Sequence, residues 1–156
     1  MTDMEHKKPL PPKLKDKDLI QTGGPVDNTS VALRIFGDSL LPEDITQLLG
    51  HEPTKAYRKD EVIPDNRYHR TARTGSWLLE GNLPRKTEIE PQIKDLLSKV
   101  TSDLGVWDRL TEEFEVDIYC GLFLDGDNRG CVLSPQVLKM ISDRSMTIGF
   151  DIYFNI

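Results

Sequence analysis

The chain has 156 residues, 37% hydrophobic and 29% charged, with a formal net charge of −6. This length favours one domain with one core, and the acidic balance argues against general nucleic-acid affinity, which needs a basic face to displace counterions. No apolar run approaches the roughly 18 residues that span a bilayer, so no membrane partner is expected.

Residues 1–28 are rich in Lys, Pro and Asp and poor in aliphatics. Such a segment buries too little apolar surface to offset its ordering entropy, and it reads as a disordered arm ahead of a single domain, 29–156. It lacks the apolar stretch of a secretory signal, so the expected compartment is the cytoplasm. Ser30–Phe36 alternates as a strand does: Val31, Leu33 and Ile35 face a core, while Ala32, Arg34 and Phe36 face away. Pro42 suits the first turn of a helix with Ile45, Leu48 and Leu49 as its stripe, and Gly50 stops it.

Residues 51–75 show no period and read as one long loop. Ser76–Glu80 is a second strand. Thr87 with Glu90 has the spacing of a capping box. The apolar residues from Ile89 to Phe114 recur every three or four positions, which predicts a helix split near Gly105. Phe114–Leu124 is the clearest strand, with Tyr119 and Phe123 on its outward side. The turn Asp125–Gly130 leads into a short strand, Cys131–Leu133. Ser134-Pro135 opens a helix through Ser145 with Val137, Leu138 and Ile141 inward. Met146–Ile156 is the last strand, with Asp151 and Tyr153 on the side opposite Ile148 and Phe150. Cys120 and Cys131 are too few for a disulfide framework and read as buried small hydrophobes.

The order β-α-β-α-β-β-α-β predicts an α+β two-layer sandwich of ferredoxin-like flavour, a mixed or antiparallel sheet with helices on one face. Leu33–Gly37, Pro42–Gly50, Glu52-Pro53-Thr54, Gly75–Glu80, Leu133–Leu138 and Phe150–Tyr153 occur in an order that resembles the bacterial domain of unknown function 4279 family over about residues 30–155. Lys59-Asp60 stands where that family has Lys-Gly. The resemblance implies a small α+β domain with no settled activity, similar in style to proteins that neutralise bacterial toxins.

No cofactor or metal is expected. The turn at Asp125 has Arg129 and Gln136 where a calcium loop needs oxygen ligands. His51 and His69 lie apart in the loop, and no Cys-x-x-Cys occurs. Neither a Gly-x-Ser-x-Gly elbow nor a glycine-rich phosphate loop is present.

Three polar features remain. The loop gathers Lys55, Arg58, Lys59, Arg67, Arg70 and Arg73, with Trp77 nearby, which suits phosphate or carboxylate. The interleaved Glu52, Asp60, Glu61 and Asp65 also allow an internally paired loop. The outward sheet side gathers Arg34, Phe36, Tyr119, Phe123, Asp151 and Tyr153, a recognition surface if exposed. Its competing reading is a face covered by the loop, with Arg34 and Asp151 paired beneath. The stretch Glu88–Glu115 is acidic and suits a basic partner, or else a solvated helix face.

The resulting expectation is a non-catalytic protein-binding module, of which an immunity-type neutraliser of a basic toxin is one form. The expected binding set is Arg34, Arg58, Arg73, Trp77, Tyr119, Asp151 and Tyr153. The alternatives are a small-anion or nucleotide-binding domain using loop 55–73, and an unrecognised enzyme.

Overall fold

The structure is a computed structural model that describes residues 23–64, 67–126 and 128–154. In chain order the elements are β1 (Asn28–Gly37), α1 (Pro42–Leu49), β2 (Lys55–Tyr57), β3 (Val62–Ile63), β4 (Arg70–Thr71), β5 (Gly75–Glu80), α2 (Ile89–Ser98), α3 (Leu104–Glu113), β6 (Glu115–Leu124), α4 (Pro135–Asp143) and β7 (Thr147–Phe154). Five strands form one sheet in the order β2-β5-β1-β6-β7, and β3 pairs with β4 separately. β1 runs antiparallel to both β5 and β6. β6 and β7 run parallel, because the helix between them returns the chain to the same end of the sheet. This is the expected α+β architecture with a mixed sheet.

The inward residues of the strands meet the helices in one core. Leu33, Ile35, Trp77 and Ile118 from the sheet are buried with Ile45, Leu49, Ile93, Leu96, Trp107, Leu110, Val137 and Ile141 from the four helices. Each such side chain contributes about 1.5–3 kcal/mol on leaving water. Both indole N–H groups are satisfied: Trp77 Nε1 donates to Thr46 Oγ1 at 3.0 Å and Trp107 Nε1 to the Thr101 carbonyl at 2.9 Å.

The expected helix split occurs ahead of Gly105. α3 starts anew because the Asp103 carboxylate accepts from Gly105 N–H at 2.9 Å. Thr87 and Glu90 do not form a capping box; the N-cap of α2 is Glu88, without a side-chain cap. Glu90 instead accepts from Ser134 N–H (2.6 Å) and Ser134 Oγ (2.8 Å), pinning the start of α4 to α2.

Four further expectations change. Residues 131–133 form no strand, and Cys131 is exposed. Cys120 is buried as expected, and that burial pushes its thiol up to about 12. Leu138 points outward, since Val137 and Ile141, four positions apart, already fill the narrow stripe of α4. The segment 51–75 is not one irregular loop: β2 lies along β5, and β3–β4 form a small hairpin. Strands of two or three residues are too short to show alternation.

Packing also begins before residue 29. Val26 is buried, and Asp27 accepts from Asp125 N–H (2.8 Å) and Arg129 Nε (3.0 Å). Of the arm read as disordered, residues 1–22 lie outside the described residues.

Candidate functional site

The helices close one side of the sheet and leave the other open. On that side β1 presents Arg34 and Phe36, β6 presents Asp117, Tyr119 and Phe123, and β7 presents Asp151 and Tyr153; register sets their neighbours. Arg34 lies directly across from Asp117. The guanidinium grips the carboxylate with two bonds, Nε to Oδ1 at 2.9 Å and Nη2 to Oδ2 at 2.7 Å. It also lies 5.3 Å from the Phe36 ring centre and 4.4 Å from that of Tyr119. The Asp117 hydrogen bond holds the Arg34 pKa above its ordinary value, outweighing partial burial, which acts to lower it.

Tyr119 continues the line. Its hydroxyl donates to Asp151 Oδ2 at 3.0 Å and lies 3.1 Å from the Tyr153 hydroxyl, which donates to the same Oδ2 at 3.2 Å. The bond with Tyr153, then burial, then the bond to Asp151 raise the Tyr119 pKa well above the ordinary 10.0. Tyr153 stacks on Phe123, with centroids 4.8 Å apart and planes within 10°. Arg85 completes the row, 4.7 Å from the Phe123 ring centre. Rings and guanidinium groups thus form one line over β1, β6 and β7, from Phe36 through Arg34, Tyr119, Tyr153 and Phe123 to Arg85. Small residues keep the middle low: Ala32 is opposite Tyr119, and Ser30 is opposite Gly121. A Cβ added to Gly121 would meet Ser30 Oγ at 2.5 Å, so that close approach requires glycine.

Arg85 is held in place from the core side. Thr29 N–H donates to the Arg85 carbonyl at 2.7 Å, and Thr29 Oγ1 to the Thr87 carbonyl at 2.6 Å. Gln92, buried on α2, donates to that Thr87 carbonyl at 2.7 Å and also bonds Thr29 Oγ1. A cleft of about 590 Å³ runs along Ala32, Arg34, Leu78, Leu83, Arg85 and Tyr119.

The structure gathers four of the seven expected binding residues, Arg34, Tyr119, Asp151 and Tyr153. The competing pair does not form, since Arg34 engages Asp117. Arg58 pairs with Glu43 on α1, away from this group. Arg73 is exposed and makes no ion pair among the described residues. Trp77 is fully buried on the core side. Within the basic segment, Lys55 also pairs with Glu80 (3.0 Å) and Lys59 with Asp38 (2.7 Å). Sequence reasoning missed the partnership of Asp117 and the presence of Arg85. Alternation could place Asp117 outward, but nothing local marks Arg85.

Among the described residues, no group of three His, Cys, Asp or Glu is arranged to hold a metal, and no helix is long and apolar enough to cross a membrane. Neither a curated protein nor a solved structure matches the chain. A family model described as a domain of unknown function (DUF4279) matches residues 27–155. The chain therefore belongs to the domain of unknown function 4279 family.

Proposed function

We propose that this chain is a non-catalytic protein-binding module that caps a basic partner with the open face of its sheet, as an immunity-type neutraliser caps a toxin. The observation that carries this reading is the ordered line of rings and guanidinium groups on that face. Side chains already fixed by one another lose little freedom when a partner arrives, and Tyr and Arg are the residues that dominate binding energy at interfaces. Asp151 is exposed and directs Oδ2 to two hydroxyls, while Oδ1 accepts no hydrogen bond among the described residues, which suits a partner's cation.

Charge supports a basic partner. Glu112, Glu113 and Glu115 are exposed and make no ion pair among the described residues. Glu112 and Glu113 occupy the last turn of α3, where the helix dipole already disfavours negative charge. A cleft of about 480 Å³ joins these carboxylates to Phe36 at the margin of the face. Acidic groups beside an aromatic surface attract and orient a basic protein. The small-anion reading is weaker, because Lys55, Arg58 and Lys59 are already neutralised by carboxylates.

The test is co-purification from the native cell at low salt. The wild type is expected to retain one basic protein at stoichiometry, and Tyr153→Ala or Glu112→Lys/Glu113→Lys to lose it while the melting curve of each variant shows that it still folds. Absence of a stoichiometric partner, or one indifferent to both variants, overturns the proposal. Neutralisation of the partner's toxicity in cells would separate an immunity role from simple binding.

A further inference from the structure

The two edges of the sheet are built differently. β2 is three residues long and carries Lys55, the kind of short, charged edge that resists further pairing. β7 runs for eight residues, contains no Pro, Lys or Arg, and has one charged residue, Asp151. It pairs with β6 on one side, and among the described residues no strand pairs with the other. α4 rises only about 14 Å over its nine residues, against about 26 Å for the eight residues of β7. Cover is therefore partial. Ile148 packs against the core, while Phe150, Ile152 and Phe154 are 41%, 57% and 62% exposed.

We propose that β7 pairs antiparallel with β7 of a second copy of this chain, joining two sheets across a twofold axis at Phe150. The charge pattern selects this register. Centred on Phe150, the pairing aligns residues 147–153 of both copies and places each Asp151 opposite Gly149 of the other. Centred on Asp151, it would set two carboxylates face to face, which is unfavourable. Centred on Ile152, it would pair only residues 150–154 of the described strand. The Phe150 register also sets Ile148 against Ile152 and Phe150 against itself, so the exposed apolar rows of both copies close on each other. The sheet face carrying Arg34 and Tyr119 stays outward, and the proposal stands independently of the binding function.

The measurement is the mass of the full chain in solution over a concentration series, by sedimentation or light scattering. The wild type is expected at twice 17.8 kDa. Ile152→Lys, a charge aimed into the apolar row, should return the mass to that of one chain, with the melting curve showing that it still folds. Gly149 tests the register, since a Cβ there meets no atom within 4 Å. Gly149→Asp should split the dimer and Gly149→Lys should tighten it. In a Cys131→Ser background, Phe150→Cys should cross-link to itself, because directly opposed strand residues lie within disulfide reach. A monomer at every concentration overturns the proposal, as does a dimer indifferent to Ile152→Lys and to both Gly149 changes. So does a monomer that dimerises only after residues 1–22 are removed, which would make the arm the occupant of this edge.

Discussion

The two faces of the sheet use the same strands for different kinds of order. On the helix side, Leu33, Ile35, Trp77 and Ile118 are buried by apolar contact, which has no preferred partner. On the open side, Arg34, Asp117, Tyr119, Asp151 and Tyr153 are fixed by directional bonds to particular neighbours. The first face needs only the correct residue type at every second position. The second needs the correct strand beside it, in the correct register.

The largest effect that tests this contrast lies on the closed face. Trp77→Ala should cost about 3–5 kcal/mol in chemical denaturation, since it leaves a cavity and removes the donor to Thr46. Arg34→Ala should cost less, about 1–3 kcal/mol, because Asp117 loses a bidentate charged partner while gaining access to water. A double-mutant cycle with Asp117→Ala would sharpen the comparison: strong coupling is expected here, and additive costs would show that the open face is not ordered by pairing.

Alkaline titration probes the same face with a smaller effect. Tyr119 has a raised pKa, so its contribution to stability is fully present below about pH 10 and is lost as pH rises through its folded value. Ultraviolet titration should show one of the four tyrosines ionising late. Tyr153→Phe should bring that ionisation earlier by removing the hydroxyl that contributes most to the shift. The smallest change touches neither face. Asp60 has φ 66°, a left-handed conformation at the position where the resembling family has glycine. Asp60→Gly should raise stability by about 0.5 kcal/mol, relief of strain exceeding the added freedom of the unfolded chain.

These differences also explain what could be read in advance. Alternation alone placed Val31, Leu33 and Ile35 inward, and put Arg34, Tyr119, Asp151 and Tyr153 on the opposite side of their strands. It could not say that Arg34 would meet Asp117, a partner 83 positions away, because register depends on the assembled sheet. The reading of Trp77 as a binding residue followed its nearness to the cations in sequence, whereas strand parity turns it to the core. Arg85 was illegible because its placement comes from Thr29 and Gln92, which no local pattern connects to it. Short β2, β3 and β4 left no period to detect.

The bonds from Gln92 and Thr29 to the backbone around Arg85 and Thr87 make the outer surface adjustable from within. A change at position 92, hidden from any visitor, would release the strap that holds one end of the ring-and-guanidinium row. The open face could therefore be altered by a buried substitution that leaves every exposed side chain unchanged.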